Sequence, residues 1–324
     1  MYYYETCSTD PAYNLAFEEY VLKNRRSGDI LILWQNANAV IVGRNQNALE
    51  EIDRDFVEKH RIKVIRRNTG GGAVYHDMGN LNYSFITDAD DSGAVRFTAP
   101  IVRSLQALGL EAEASGRNDI LVSGKKISGT AQHRHSGRIL HHGTLLFDSN
   151  PDMIAGALRP DPTKFQSKGV KSVRSRVGNI REALNVDMTL GAFWEHLKQT
   201  LTDDGLVPMA LSEEDLAEIR RLRSEKYDTW AWNFGSSPKF ATSVRRRFPG
   251  GLVEVHLTVK HGRIDGLQIY GDFLALEPLD PVLDALRGTL YESDALHQKL
   301  HTLDLTNYLG SITADELVST LLNV

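Results

Sequence analysis

The chain has 324 residues, 41% of them hydrophobic, which is more than one core usually serves and points to two domains. Its formal net charge of −5 excludes the broad basic surface of a general nucleic-acid binder, though not a local basic groove. The single cysteine, Cys7, rules out an intrachain disulfide framework and fits a reducing compartment, and no stretch reads as a secretory signal or a membrane span. A cytoplasmic α/β protein is the expectation.

Asp10-Pro11 is a helix start, with Asp as cap and Pro at the first helical position, and Ala12 to Lys23 follows with helical periodicity. Ile30 to Trp34 and Val40 to Val42 read as strands separated by Asn36-Ala37-Asn38. Leu49 to His60 has the pattern of one surface helix, and Ile62 to Ile65 returns to strand. Leu81 to Ile86 is a strand and Pro100 to Leu108 a helix. Ile120 to Val122 and Lys126 to Gln132 are short strands, and Ser136-Gly137-Arg138 turns the chain into a returning strand, His141 to Phe147. Met153 to Leu158 is helical. Thr163 to Gly178 has no periodicity and many Lys, Arg and Ser residues, and loops of that length are often functional. Leu190 to Leu201 and Ser212 to Lys226 read as helices. The composition breaks after Trp232-Asn233-Phe234-Gly235. Beyond it, Leu252 to Val259 and Ile264 to Tyr270 form a hairpin about His261-Gly262. Two helices, Pro281 to Arg287 and Ala314 to Leu322, follow, the second with a capping box from Thr313 and Glu316.

The densest chemistry lies in Arg66-Arg67-Asn68-Thr69-Gly70-Gly71-Gly72-Ala73-Val74-Tyr75. Glycine lets main chain approach a ligand and take up positive φ, and arginine offers paired donors to carboxylate or phosphate. The run reads as a cradle for an anionic small molecule or, more plainly, as a flexible turn. No Lys-Ser or Lys-Thr follows at Walker spacing, and the exit into a strand does not fit a dinucleotide fingerprint. Asp119 opens a strand and is a candidate magnesium ligand beside a nucleotide, or a turn cap. Lys126 alternates with Ser128, which predicts that both face the same side of a sheet. There Lys126 can neutralise developing charge, or it is a solvated loop tip. Lys168 to Gly178 is an anion-binding loop or a solvated basic one. His133, His135, His141 and His142 can cluster across a hairpin, as a zinc site or, better, as packing histidines. Cys7 has no local activating base and is expected to be a small buried thiol. Arg245-Arg246-Arg247 reads as a solvated strand edge or a contact for an acidic partner.

These stretches jointly resemble the lipoate–protein ligase A family. The match runs along nearly the whole chain: Asn14 to Glu19, Trp34 to Asn36, Gly43 to Gln46, Arg66 to Asp77 with Gly79-Asn80, Ala112 to Asp119, Lys126 to Ala131, His141 to Leu146, Val173 to Val177 and Trp232 to Gly235. The resemblance implies an α/β (α+β) fold of the biotin/lipoyl ligase type. A catalytic domain over 1–243 would hold a central mixed sheet flanked by helices, and 244–324 would be a small accessory domain. It implies ATP, Mg2+ and lipoate as ligands. Lipoate and ATP would give lipoyl-AMP, and a lysine of a lipoyl-domain acceptor would then take the lipoyl group. Such acceptors are the E2 subunits of 2-oxoacid dehydrogenases and the glycine cleavage H protein. By the family pattern, Lys126 would meet both the lipoate carboxyl and the α-phosphate. Arg67 and the run Gly70, Gly71, Gly72, Ala73, Val74 and Tyr75 would border nucleotide and acyl group. Lys168, Ser172, Arg174 and Arg176 would belong to the adenylate-binding loop, and Asp119 would hold magnesium. The nearest alternative is an octanoyl- or lipoyl-transferase of the same fold. Transferases most like this chain use a cysteine, and Cys7 lies outside every motif. Biotin ligase and a non-catalytic lipoate-binding protein are more distant readings.

Overall fold

The computed structural model describes residues 1–89, 93, 95–115, 118–159, 177–234 and 242–323. The strands of the first part are β1 (Tyr2–Glu5), β2 (Ile30–Trp34), β3 (Ala39–Val42), β4 (Lys63–Arg66), β5 (Val74–His76), β6 (Asn80–Asp88), β7 (Ala112–Ser115), β8 (Asp119–Val122), β9 (Lys125–His135), β10 (Arg138–Leu146) and β11 (Val207–Pro208). Eight of them form one mixed sheet in the order β11-β1-β2-β6-β10-β9-β8-β7, and the other three form a small sheet, β4-β3-β5. In the large sheet β1 runs parallel to β2 and β11, and the remaining pairs are antiparallel. β2 is the sequence Ile-Leu-Ile-Leu-Trp with every residue buried, as a strand covered on both sides requires.

Alternation along the strands divides the large sheet into two faces. Leu31, Leu33, Tyr83, Phe85, Ile139 and Leu145 point to one face, where they pack with Phe97, Ile101 and Leu105 of α4 (Val95–Ala107) and with Phe193 and Leu197 of the helix Leu190–Thr200. Ile30, Ile32, Trp34, Ile86 and Leu140 point to the other, under Leu15 and Phe17 of α1 (Pro11–Asn24) and Ile41 and Ile65 of the small sheet. Asp10 caps α1 by accepting from Ala12 N. The expected helix from Leu49 to His60 is two short ones, α2 (Ala48–Glu51) and α3 (Arg54–Lys59). Asp53 stops the continuation, because its carboxylate accepts from Phe56 N as the cap of α3. α4 begins five residues before Pro100, which sits inside the helix rather than at its start. Among the described residues, no helix is long and apolar enough to cross a membrane.

Residues beyond 241 form a separate antiparallel sheet, β12 (Thr242–Phe248), β13 (Gly251–Lys260) and β14 (Arg263–Gly271), with its own apolar core. Val253, Val255, Leu267 and Ile269 pack there with residues of the helices Asp280–Leu286, Ser293–Leu300 and Ala314–Leu322. The Thr313–Glu316 capping box is present, and the hairpin turns through His261 and Gly262 at φ 50° and 70°. Arg245 and Arg247 are not simply solvated: they pair with Glu50 at 3.6 Å and Asp272 at 3.1 Å.

One other expectation changes. Cys7 is exposed, because the chain leaves β1 through a φ of 50° at that residue, which carries the thiol to the surface. The hairpin histidines do not converge. His141 and His142 are neighbours in one strand and so face opposite sides of the sheet, and His133 bonds the Leu276 carbonyl at 2.9 Å. Among the described residues, no group of three His, Cys, Asp or Glu is placed to hold a metal.

His141 lies within the apolar core, its ring stacked on Phe97 at 4.8 Å with neither nitrogen bonded among the described residues. Burial lowers the pKa of His141 and of His76 to about 3, and that of His133 to about 4. The unfolded chain binds protons at these sites near pH 6.5 and the folded chain does not, so stability falls as pH drops from about 6.5 towards 4. Each such histidine contributes a slope of up to about 1.4 kcal/mol per pH unit. Urea unfolding between pH 6 and 4.5 should therefore show a slope for His141→Phe that is shallower by about that amount; an unchanged slope would contradict the neutral, buried assignment.

Candidate active site

The two arginines that open the glycine loop face inward. Arg66 donates to the carbonyls of Gly43 (2.8 Å), Arg44 (2.9 Å), Gln46 (2.7 Å), Trp232 (2.9 Å) and Asn233 (3.0 Å). Arg67 donates to the carbonyls of Ile41 (3.0 Å), Gly70 (2.6 Å) and Gly72 (2.8 Å) and to Thr69 Oγ1 (2.9 Å). Burial lowers both guanidinium pKa values to about 10, so both stay charged at neutral pH. The pair thus holds several segments by their carbonyl oxygens. This fork geometry is one that lysine cannot supply.

The three glycines answer three different needs. A side chain at Gly70 would stand 2.6 Å from the Phe273 carbonyl, so this residue is bare to let the C-terminal unit close in. Gly71 has φ 86° and donates its N–H to Phe273 O at 3.1 Å. Gly72 has open space where a Cβ would be and lines the cavity described below. Behind the loop, Asn68 is gripped by Glu19 Oε2 (2.9 Å), Tyr227 Oη (2.6 Å) and Lys226 Nζ (2.7 Å). Lys226 and Tyr227 reach it from a π-helical turn, Arg223–Tyr227, a device common near functional sites. Burial alone would raise the Glu19 carboxyl, but Lys226 above all outweighs it and brings the pKa to about 2.

Lys126 reaches the site through a fault in the sheet. Asp119 pairs with Gly129 and Ile120 with Ser128, but Leu121 pairs with Lys126, so β9 carries one extra residue, Ile127. This β-bulge reverses the alternation. Lys126 therefore lies on the face of Asp119 and Gly129, opposite Ser128, and the expectation that Lys126 and Ser128 share a face is wrong. The Lys126 ammonium meets Asp119 Oδ1 at 2.7 Å, with both side chains about one-third exposed (37% and 33%). Gly129 lies directly beside it, where a Cβ would be 3.4 Å from Lys126 Nζ.

These groups border a cavity of ≈ 270 Å³ between the large sheet and the glycine loop. Strand register lays out its floor. Trp34 pairs with Asn82, Asn82 with Thr144, Thr144 Oγ1 accepts from Gly129 N at 3.1 Å, and Gly129 pairs with Asp119. Four strand spacings at about 4.8 Å make this row roughly 19 Å long. Leu15, Trp34, Ile41, Val74 and Ala131 form the apolar part of the lining, while Lys126, Asp119, Asn118 and Gly72 form a polar part.

Of the residues singled out from sequence, Arg67, Gly71, Gly72, Ala73, Val74, Asp119 and Lys126 line the cavity. Gly70 lies against the C-terminal unit, and Tyr75 points away into the core of Val40, Val42 and Ile62, because Val74 and His76 take the cavity face of β5. Any ligand contact of these two would run through main chain. Lys168, Ser172, Arg174 and Arg176 lie outside the described residues. Sequence reasoning missed His76, Asn82 and His142 as lining groups. His142 Nδ1 bonds Glu18 Oε1 at 2.9 Å and its Nε2 bonds Thr69 Oγ1 at 2.8 Å, joining α1 to the loop. The signal for them was present: polar residues alternating on strands that otherwise carry core, such as Asn80, Asn82 and Ser84.

Arg67→Lys should lower unfolding free energy by about 3 kcal/mol, because several buried carbonyls lose donors, and should weaken ligand binding at the loop. Urea unfolding and a binding titration would check this; full retention of stability would show that the clamp is not needed.

Comparison with known proteins agrees with this geometry. The lipoyl protein ligase A/B catalytic domain matches residues 10–202, and the bacterial lipoate protein ligase C-terminus matches residues 237–321. The chain is 44% identical to lipoate-protein ligase LplJ of Bacillus subtilis over 95% of its own length and 96% of that protein. It is similar in fold to P. falciparum LipL1 solved with lipoate (TM-score 0.83, 24% identity, covering 100% of this chain and 99% of that one). A lipoate-protein ligase A bound with ATP is 29% identical, covers 72% of this chain and 99% of that one, and superposes with a TM-score of 0.63. With its large mixed sheet, its glycine loop and its separate C-terminal sheet, this chain belongs to the lipoate–protein ligase family.

Proposed function

We propose that the chain activates lipoate with ATP and passes the lipoyl group to a lysine of a lipoyl-domain acceptor. The observation that carries this reading is the cavity itself. It joins an apolar stretch suited to an acyl chain with an ammonium and a carboxylate 2.7 Å apart. A carboxylate is a poor acyl donor because its leaving group is poor. In the first step a lipoate oxygen bonds the α-phosphorus of ATP and the bond to pyrophosphate breaks. In the second, the acceptor amine bonds the acyl carbon, AMP leaves with the electrons of the C–O bond, and the nitrogen gives up a proton.

Bringing two anions together requires cations at the point of contact, and Lys126 is placed to hold the lipoate carboxyl beside the α-phosphate. Asp119 fits a magnesium ion that arrives with the nucleotide, since magnesium takes few protein carboxylates and fills its shell with phosphate and water. That ion would supply charge neutralisation at the phosphates. Asp272 also lines the cavity, but its oxygens accept from Leu252 N (2.6 Å) and Arg247 Nη2 (3.1 Å), which leaves Asp119 as the better ligand. The segment holding Lys168, Ser172, Arg174 and Arg176 is the proposed adenylate loop. Its flank supports this: Gly178 N donates to Lys126 O at 2.9 Å, and Val177 bridges to Lys126. The domain boundary, expected at 243/244, is proposed to lie before Thr242, because β12 (Thr242–Phe248) belongs as a whole to the C-terminal sheet.

E2 subunits of 2-oxoacid dehydrogenases and the glycine cleavage H protein are the proposed acceptors, in the cytoplasm. The alternative of a cysteine-dependent octanoyl- or lipoyl-transferase is disfavoured by position. Cys7 lines a different groove, beside β1 and β11, with no histidine lining it among the described residues. Incubation with lipoate, ATP and magnesium should add one lipoyl group to a lipoyl domain by mass spectrometry. Transfer that proceeds without ATP would overturn the ligase reading. Lys126→Ala should abolish lipoyl-AMP formation with no loss of thermal stability, and near-normal activity would refute its role.

A further inference from the structure

His76 borders the cavity, is 3% exposed, and has a ring nitrogen, Nε2, with no partner among the described residues. Its tautomer follows from a chain of fixed polarities. Asn14 Nδ2 lies 2.9 Å from Ser8 O and 2.7 Å from Gln35 O, two carbonyls that can only accept, so that atom is the amide nitrogen. Its two hydrogens serve those carbonyls and an amide nitrogen accepts nothing, so an NH2 group of Asn36 could not sit 2.9 Å from it, and the facing Asn36 atom is the oxygen. The Asn36 NH2 group therefore faces His76 Nδ1 at 3.0 Å, and Nδ1 must accept. The single proton of the neutral ring is left on Nε2.

Burial, reinforced by Arg67 and then His142, lowers the pKa of His76 to about 3. The ring takes up no proton at neutral pH and can neither relay one as a base nor balance a carboxylate as a cation. What remains is a rigid neutral donor. A buried donor without a partner costs about 1–3 kcal/mol, and native folds rarely keep one that nothing satisfies. The ammonium of Lys126 borders the same cavity and is placed for the charged ends of the substrates, which leaves their uncharged acceptor atoms to the His76 N–H.

We propose that His76 is a substrate-contacting residue whose Nε2–H, oriented through Asn14 and Asn36, donates to an uncharged acceptor atom of the bound ligand. Two sources offer that chemistry, the acyl carbonyl oxygen once the lipoate carboxylate has been adenylated, and a purine ring nitrogen. The proposal rests on the ligase reading above, and the test separates the two.

The full-length chain labelled with 15N-histidine gives the first readout. Free enzyme should show His76 with a protonated Nε2 and a bare Nδ1, assigned by the loss of its signals in His76→Gln. Addition of lipoate alone, ATP alone, and both together should move the Nε2–H proton downfield in at least one case. Steady-state kinetics give the second. The Asn side chain reproduces the Nδ1 position and Gln the Nε2 position. His76→Asn should raise KM about ten-fold for the contacted substrate, and His76→Gln should restore most of it. A rise for lipoate identifies the acyl oxygen, and a rise for ATP the purine. A proton found on Nδ1, an Nε2–H signal indifferent to both ligands, or unchanged KM values in a folded His76→Asn enzyme would each overturn the proposal. Failure of the wild-type enzyme to use lipoate and ATP would instead overturn the ligase reading, and the labelled spectrum would still judge His76.

Discussion

Two buried guanidinium groups, Arg66 and Arg67, hold the site in place. Between them they donate to the carbonyls of Ile41, Gly43, Arg44, Gln46, Gly70, Gly72, Trp232 and Asn233. Those oxygens belong to the small sheet, the turn after it, the glycine loop and the segment after the π-helical turn. A loop of three glycines has high conformational entropy, and tethering its carbonyls offsets that entropy without occupying its outward surface. The arrangement leaves Gly72 open to the cavity while Gly70 and Gly71 anchor the C-terminal unit through Phe273.

The second constraint is the extra residue in β9. Without Ile127 in that place, regular alternation would send Lys126 into the opposite face with Ser128. The bulge brings the one ammonium that lines the cavity among the described residues to the carboxylate of Asp119, on the neighbouring strand. Strand backbone fixes both groups, so their separation depends little on loop motion. This is the rigidity that a group meeting charge developed in a transition state needs. The same segment is tied to Gly178, whose N–H donates to the Lys126 carbonyl at 2.9 Å.

Much of this fold was legible because its strands carry uninterrupted apolar runs, as in Ile30 to Trp34, and its helices carry their own caps, as at Asp10 and Thr313. The break between α2 and α3 was not, because Asp53 fits a helix surface as well as it fits a cap. The site was legible as a set of residues: the glycine loop, Asp119 and Lys126 do come together. Their tasks were less so. An Arg-Arg pair before glycines looks the same in sequence whether its donors face a phosphate or eight carbonyls. A bulge leaves no mark in a strand of ordinary composition. His76 and His142 became visible only once the register of β5, β6 and β10 placed them on the cavity face.

The reaction account is tested most directly by exchange of radiolabelled pyrophosphate into ATP in the absence of any acceptor protein. If the cavity joins a lipoate carboxyl to an adenylyl group beside Lys126, the exchange will depend on lipoate and vanish in Lys126→Ala. Acylation of a lipoyl domain by an enzyme that shows no lipoate-dependent exchange would contradict it.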